Sequence, residues 1–417
     1  MKHRLSIILS ALVALTPAAA CLAQDVSQLG ELERKVDILT QEIEKLKLGD
    51  EFRPGKVSIG GYGETVFHGP SKRRQDAGPS HAKKQADNLR AVLYAGYKFN
   101  DWILFNSELE FEHGGTGEGG EVRGEAAIEQ AYLEFKFSDA LGARAGNVIV
   151  PLGLVNEIHE PTAFHGVDRP NVERFIIPST WHENGIGLFG NFGPVSYRTY
   201  LMAGLNAVAS ADPAADGFTA AGGIRGGRTE GSNSFAEDLA WASRVDIQPL
   251  TGVKAGMGLF LGEADQGRTT FSVPVTLWET HAAAEWRGAS LKALYAQGRI
   301  GNVDALDSEQ GFTDAARNSI GRRLFGGYVE GAFDLLTLAR HNQGQALYPF
   351  LRYERYDTQA ETPSAFAKDP ANSRVEYTLG ATCKPIAQVA VKLDRQWKRN
   401  QARTGVDQWN LGLAYVF

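Results

Sequence analysis

The sequence predicts an all-β fold, an antiparallel transmembrane β-barrel of about 16 strands that follows a short N-terminal coiled-coil helix. Two observations predict the barrel over residues 56–417. Short segments there alternate apolar and polar residues with a period of two, as strands with one apolar face do. The connections between them alternate short and long, which matches tight turns on one rim and long loops on the other rim of an outer-membrane barrel. A count of about 14 or 18 strands fits the pattern too, because strand boundaries are known only to a few residues.

Residues 1–23 have the plan of a secretory signal peptide, with a basic start, an apolar run over residues 5–15 and a segment of small residues. We expect cleavage after Ala20 or after Ala23, and a lipidated Cys21 is the alternative. No later segment has about 18 consecutive apolar residues, so the sequence predicts no transmembrane helix.

Residues 26–48 predict a separate periplasmic module. Apolar residues recur at spacings of 3, 4, 3, 4 and 3, at Leu29, Leu32, Val36, Leu39, Ile43 and Leu46. Charged residues occupy the flanking heptad positions, so about three heptads favour a short coiled coil. A single amphipathic helix lying on the barrel is the alternative.

The predicted strands cover residues 58–67, 89–99, 103–112, 132–137, 143–146, 184–192, 194–203, 239–249, 252–261, 276–287, 289–299, 322–334, 347–357, 374–385, 388–398 and 408–417. The last of them alternates apolar or aromatic residues up to Phe417. A terminal aromatic residue on an amphipathic strand resembles the signal that the barrel assembly machinery of the outer membrane recognises. We therefore expect that machinery and the outer-membrane lipid as partners.

A barrel of 16 strands leaves an aqueous lumen, so the inward residues are the candidate functional residues. By alternation the inward basic residues are Arg90, Lys98, Lys136, Arg144, Arg198, Arg244, Lys254, Arg287, Lys292, Arg352, Lys384 and Lys392. The inward acidic residues are Glu108, Glu110, Glu134, Asp246, Glu279, Glu285, Glu354 and Asp394. Because charged rings set pore selectivity, a modest basic excess favours anions. The alternative is a solvated wall whose charges neutralise one another.

The stretch 151–183 is the third long connection and has no period of two or 3.6. Irregular segments this long are usually functional. We predict that it folds into the lumen as a constriction loop, with the residues Glu157, Glu160, His165, Asp168, Arg169, Glu173 and Arg174 at the constriction. The alternative is a loop packed on the outer rim.

Several stretches resemble the phosphate-selective porin O/P family: GGYGETVF at 60–67, YKFNDWILFNSELEFEH at 97–113, YPFLRYERYD at 348–357, and the loop with Val172, Glu173 and Arg174. The resemblance implies a homotrimeric, 16-stranded outer-membrane channel for small anions such as phosphate. The chain has a formal net charge of −6, and its loop mixes acidic and basic residues. The prediction is therefore a passive channel for small hydrophilic solutes that leans towards anions.

Other classes of function are less well supported by the sequence. The net acidic charge argues against nucleic-acid binding, and two cysteines give no disulfide framework. An outer-membrane enzyme on a barrel scaffold is one alternative, but no nucleophile motif or metal-ligand spacing points to catalysis. A structural or adhesion barrel that acts through its coiled coil is another. We expect no cofactor.

Overall fold

The computed structural model describes residues 57–114, 124–211, 214–339 and 344–417. The predicted signal peptide, 1–23, and the predicted coiled coil, 26–48, lie outside the described residues.

Sixteen strands close into one antiparallel barrel, with the order β1-β18-β17-β16-β15-β14-β13-β12-β11-β10-β7-β6-β5-β4-β3-β2. Their bounds are β1 Val57–Pro70, β2 Gln85–Lys98, β3 Ile103–Glu112, β4 Glu125–Ser138, β5 Leu141–Ile149, β6 His182–Phe192, β7 Val195–Ala203, β10 Leu239–Leu250, β11 Val253–Glu263, β12 Pro274–Trp286, β13 Ala289–Ile300, β14 Arg323–Phe333, β15 Ala346–Glu361, β16 Ser373–Ile386, β17 Val389–Asn400 and β18 Gln408–Val416. Strands β8 (Ser210–Ala211) and β9 (Ala214–Ala215) pair separately. The predicted barrel of 16 antiparallel strands is confirmed.

Helical segments are few in the described part of the chain. Helix α1 spans Val172–Phe175 and helix α2 spans Val303–Glu309, and short 3-10 turns cover Arg225–Gly227, Leu335–Leu338 and Pro370–Asn372. None of the helices among the described residues has the length and apolar character needed to cross a membrane.

The first and last strands join to close the barrel. Tyr62 of β1 lies opposite Val416 of β18. The backbone N–H of Phe417 donates to the carbonyl of Gly61 at 2.8 Å, and the N–H of Gly61 donates back at 2.9 Å. Closure satisfies the backbone groups that a free edge would expose, which a structure in lipid requires.

The two faces of the wall differ as the sequence predicts. On β18 the outward side chains are exposed and apolar or aromatic: Trp409, Leu411, Leu413 and Tyr415. The inward Asn410 and Ala414 are buried. A period of two with an apolar outer face is what a barrel in lipid requires.

Connection length alternates between the rims. Short turns join β2 to β3, β4 to β5, β6 to β7, β10 to β11, β12 to β13 and β16 to β17. Arg287 was predicted as the end of a strand and as pore lining, but β12 ends at Trp286 and Arg287 lies in the turn that follows. In this turn Arg287 and Gly288 adopt positive φ angles of 47° and 83°. Its guanidinium lies 5.0 Å from the Trp286 ring centroid, so Arg287 is not part of the strand wall.

Long connections pack together inside the barrel. A cluster of buried apolar residues includes Leu152, Ile176 and Trp181 from one loop, Leu205, Phe218 and Ile224 from a second, and Val303, Leu306 and Ile320 from a third. Wall residues Phe260, Leu277 and Tyr356 belong to the same cluster. One side of the interior is therefore packed with apolar side chains.

Candidate functional site

The loop between β5 and β6, residues 150–181, enters the barrel, and we refer to it as the inner loop. Asn156 joins the two ends of the loop by hydrogen bonds. The Asn156 side chain donates to the carbonyls of Val150 at 2.7 Å and Trp181 at 3.1 Å, and it accepts from the Trp181 N–H at 2.9 Å. Because Asn156 is buried, these bonds fix the angle at which the loop leaves the wall.

The first arm of the inner loop, residues 150–157, contacts strands β7, β10 and β12. Glu157 pairs with Arg198 at 3.0 Å, and the N–H of Gly153 donates to Glu279 at 3.4 Å. Arg244 donates to the carbonyl of Gly153. Burial raises the pKa of Glu157, but the charges of Arg198 and Arg244 outweigh burial and hold this pKa below its ordinary value.

The next residues face strands β2, β3 and β4. Glu160 accepts a hydrogen bond from the Tyr94 hydroxyl at 3.0 Å. The Nε2 atom of His159 lies 3.2 Å from a carboxylate oxygen of Glu108 and 3.2 Å from one of Glu129. Burial lowers the pKa of His159, but Glu129 and Glu108 outweigh it and raise the pKa to about 10. Arg169 donates to the His159 carbonyl at 3.1 Å.

The tip of the inner loop, residues 162–164, accepts hydrogen bonds from three lysines on three strands. Lys384 donates to the carbonyl of Thr162 at 2.8 Å, Lys392 to that of Phe164 at 2.9 Å, and Lys292 to that of Ala163 at 3.4 Å. Within the described ranges, none of these lysines forms an ion pair. We call Lys292, Lys384 and Lys392 the lysine cluster. It lies towards the rim of the short turns and is not neutralised by a carboxylate.

His165 follows the tip and is uncharged near neutral pH. Its ring lies 5.0 Å from the Tyr348 ring and 5.7 Å from the Phe350 ring, between centroids. Burial, together with the charges of Lys292 and Lys384, holds the pKa of His165 well below its ordinary value.

Asp168 connects the loop to the seam of the barrel. It accepts from Gln396 at 2.9 Å and Gln408 at 3.3 Å, and it lies 3.0 Å from Nε2 of His68. Burial raises the pKa of Asp168, but the hydrogen bond with His68 and the charges of His68 and Lys398 outweigh it and hold the pKa below its ordinary value.

The returning arm of the inner loop, residues 172–181, contains helix α1. The adjacent residues Glu173 and Arg174 lie in different surroundings there. Glu173 is 1% exposed and accepts from the Val155 N–H at 2.7 Å and the Tyr328 hydroxyl at 2.6 Å. Burial raises the pKa of Glu173. Arg174 is exposed, with its guanidinium 5.5 Å from the Phe175 ring centroid. Glu173 therefore holds the loop together, whereas Arg174 faces open space.

Most arginines predicted to line the lumen are neutralised by neighbours. The ion pairs are Arg90 with Glu64 (2.9 Å) and Glu110 (3.1 Å), Arg144 with Glu134 (2.8 Å), Arg244 with Asp246 (2.7 Å), and Arg352 with Glu354 (3.0 Å) and Glu330 (3.2 Å). Three lysines also lie near carboxylates, Lys254 at 3.7 Å from Asp246, Lys136 at 3.4 Å from Glu134 and Lys98 at 2.9 Å from Asp101. These cations stabilise the wall and its turns more than they charge the lumen.

A cavity of about 360 Å³ lies beside the returning arm, at the rim of the long loops. We call it the vestibule. Its lining residues are Pro70, Ala82, Asn171, Arg174, Phe175, Tyr356, Arg374, Glu376, Lys398, Arg399, Asn400, Gly405, Val406 and Gln408. Four of them are cationic and one is a carboxylate, and Arg399 pairs with Asp407 at 3.0 Å. Arg174, Arg374 and Lys398 form no ion pair in the described part of the chain.

The sequence singled out Arg174 but not the other vestibule cations. The alternation that makes Lys392 and Asp394 inward continues through Gln396 to Lys398, so this signal could have found Lys398. Arg374 is different, because its exposure to the cavity depends on how its guanidinium packs, 4.9 Å from the Phe175 ring centroid.

Comparisons with known proteins support the fold and a family. No protein-family model matches the sequence, so the resemblance to the phosphate-selective porin O/P family stays a prediction. An uncharacterized protein of Aquifex aeolicus (strain VF5) is 33% identical over 368 residues, covering 87% of this chain and 80% of the relative.

Three solved outer-membrane structures share the architecture. OmpF of Salmonella typhi, in complex with daunomycin, has a TM-score of 0.58 and 12% identity over 87% of this chain and 98% of its own. An anion-selective porin from Comamonas acidovorans has a TM-score of 0.54 and 13% identity over 87% and 100%. In-vitro folded OmpT of Vibrio cholerae, in its trimer form, has a TM-score of 0.52 and 11% identity over 88% and 100%. At these identities the likeness shows the barrel fold alone.

Proposed function

We propose that this chain, which belongs to the same protein family as the Aquifex aeolicus relative, is a bacterial outer-membrane porin. Its activity is passive diffusion of small hydrophilic solutes, with a preference for anions such as phosphate, and it is not an enzyme. The inner loop is the constriction, and the lumen beside it is the path. A homotrimer in the outer membrane and insertion by the barrel assembly machinery belong to the same proposal.

The observation that carries the anion preference is the placement of cations without carboxylate partners. Arg174, Arg374 and Lys398 lie in the vestibule at one rim. Clefts lined by one sign of charge concentrate ions of the opposite sign. The planar guanidinium of an arginine binds phosphate and carboxylate through two parallel hydrogen bonds, which suits oxyanions.

The packed interior bears on the size of the path. The apolar cluster and the inner loop occupy part of the lumen that a bare barrel of 16 strands would leave open. We therefore expect a single-channel conductance well below that of the same barrel after residues 157–172 are replaced by a short Gly-Ser linker.

The test is single-channel recording in a planar bilayer, with the reversal potential measured across a KCl gradient. We expect anion selectivity, and added phosphate should lower chloride current by competing for the same cations. The triple variant R174Q/R374Q/K398Q should shift the reversal potential towards cation selectivity. The exposed Arg317, on a long loop that contributes no residue to the vestibule, provides the control R317Q with no shift.

Two outcomes would contradict the proposal at different levels. Absence of any conductance in correctly folded protein would refute the channel. Cation selectivity of the unmodified protein, or an unchanged reversal potential in the triple variant, would refute the anion preference while leaving the channel in place.

A further inference from the structure

A second cluster inside the barrel, apart from the vestibule, has the composition of a metal site. Glu108 of β3, Glu129 of β4 and His159 of the inner loop are each at most 2% exposed. One donor atom from each lies within 4.8 Å of the other two. We propose that these three residues bind one divalent transition-metal ion of the Zn²⁺ type, which would hold the inner loop against strands β3 and β4.

A β-bulge supplies one of the three ligands. Glu108 lies opposite Gln130, and the next residue, Leu109, lies opposite Ile128, so Glu129 has no partner across the strand pair. As a result Glu129 and Gln130, adjacent in sequence, are both buried and face the interior. Bulges re-aim side chains in this way and are common next to functional sites.

The distances suit a small coordination shell. Nε2 of His159 lies 3.2 Å from Oε1 of Glu108 and 3.2 Å from Oε2 of Glu129. In a tetrahedral site, ligand atoms about 2.0 Å from a zinc ion are about 3.3 Å apart. An ion therefore fits among these atoms with small rotations of the two carboxylates. Three protein ligands leave the fourth position for water.

The surrounding contacts orient the ligands as in known metal sites. Nδ1 of His159 lies 2.8 Å from the carbonyl of Asn156, so it carries a proton and Nε2 faces the carboxylates. Metal-binding histidines almost always donate their second nitrogen to such an acceptor. The second oxygen of Glu108 accepts from Gln130 at 2.5 Å. Because Nδ1 is held by that carbonyl, Nε2 is the nitrogen placed to bind an ion together with the two carboxylates.

A buried carboxylate oxygen without a partner gives independent support. Oε1 of Glu129 is inaccessible to solvent and has no hydrogen-bond partner among the described residues. The hydroxyl of Tyr62 is also buried and has no hydrogen-bond partner within the described ranges. The Tyr62 ring lies 6.1 Å from the His159 ring, between centroids. Buried polar atoms are almost always satisfied, so such groups indicate a missing ion or water. A bound ion would give the Glu129 oxygen a partner.

A second buried histidine of the barrel contacts two carboxylates with a different geometry. His281 is also buried and also contacts two carboxylates, but its Nε2 lies 2.8 Å from Asp246 and its Nδ1 lies 2.9 Å from Glu279. Its carboxylates therefore lie on opposite edges of the ring and cannot share one ion with one nitrogen. Arg244 approaches Nε2 at 3.0 Å and supplies a positive charge there. Each site has one histidine and two carboxylates, and the two sites differ in geometry.

The experiment is a titration of the purified, chelator-treated full chain with Co²⁺, incubated to equilibrium because the ligands are buried. We expect one equivalent to produce the strong visible absorption of low-symmetry four-coordinate cobalt, and Zn²⁺ to displace it. His159→Gln and Glu129→Gln should each weaken binding by at least about tenfold. His281→Gln should leave it unchanged. Metal should also raise the thermal unfolding temperature of the unmodified chain but not of His159→Gln.

Three outcomes overturn the proposal. The first is folded protein that gives no cobalt absorption and no zinc-dependent stabilisation, which would mean that the cation between the carboxylates is only a proton. The second is binding that Glu129→Gln leaves intact. The third is binding that His281→Gln abolishes in protein whose gel mobility shows a folded barrel.

Discussion

Replacing Glu173 by Ala tests whether this residue, predicted as part of the constriction, instead holds the inner loop in place. The substitution removes the acceptor of the Val155 N–H and of the Tyr328 hydroxyl, at 2.7 and 2.6 Å. Each such hydrogen bond contributes about 1.5 kcal/mol, so the docked arm should lose about 3 kcal/mol. At about 1.4 kcal/mol per factor of ten, the detached population should rise roughly 100-fold.

The assay is labelling of a cysteine placed at Ile177, which is fully buried in the returning arm. Its background chain has Cys21 and Cys383 replaced by Ser. Relative to I177C alone, E173A should increase the rate of maleimide labelling roughly 100-fold, because labelling of a buried thiol requires detachment. Single-channel current should become noisier and larger.

Two variants act as controls for this prediction. Tyr328→Phe removes one of the two hydrogen bonds of Glu173, so the labelling rate should rise only about tenfold. In Glu173→Gln the amide oxygen can accept from the Val155 N–H while the amide NH2 donates to the Tyr328 hydroxyl, so the rate should remain close to the unmodified rate. If E173A labels no faster than I177C alone, and its current is unchanged, Glu173 does not hold the loop and the reasoning is refuted.

Three further perturbations test other contacts. Asn156→Ala removes the hydrogen bonds that join the two ends of the inner loop and should destabilise its docked state by about 1–3 kcal/mol. The measurement is limited proteolysis, with cleavage within the loop while the strands stay protected. Because the folded pKa of Asp168 is depressed, its stabilisation is present above the unfolded value near pH 3.9 and is lost as pH falls through the lower folded value. Current noise should therefore rise on acidification below about pH 4, and Asp168→Asn should remove that step. Arg352→Ala leaves Glu330 and Glu354 buried without their partner and should cost about 3–5 kcal/mol, measured as a lower thermal unfolding temperature. An unchanged temperature would mean that these carboxylates become protonated or hydrated at no net cost.

Much of the barrel could be predicted because strands and turns leave local signals. The period of two identified the faces of β18, and the alternation of connection lengths identified the two rims. The bounds were less accurate, since β4 begins at Glu125 rather than at 132. Glu129 was missed for this reason, and also because a bulge breaks the alternation that identifies inward residues.

The candidate site could be predicted only in part, because pairing between strands depends on register. Alternation placed Arg90 and Arg352 on the inner face, but it could not show that each arginine faces carboxylates. Glu173 and Arg174 are neighbours in an irregular segment, and no pattern separates the buried one from the exposed one. Their roles follow from docking, which joins residues distant in sequence.

The position of Asp168 gives the inner loop a place in the order of assembly. Its partners are His68 on β1, Gln396 on β17 and Gln408 on β18, which lie 100, 228 and 240 residues away in sequence. Strand β1 joins β17 and β18 only when the two ends of the chain meet. We infer that the segment around Asp168 completes its docking after the seam closes. Time-resolved protection of a thiol placed next to Asp168 should then lag behind the appearance of the folded barrel on a gel. Earlier protection would contradict this order. Until then this part of the loop does not block the lumen, so a newly inserted barrel would be at its most permeable just before assembly is complete.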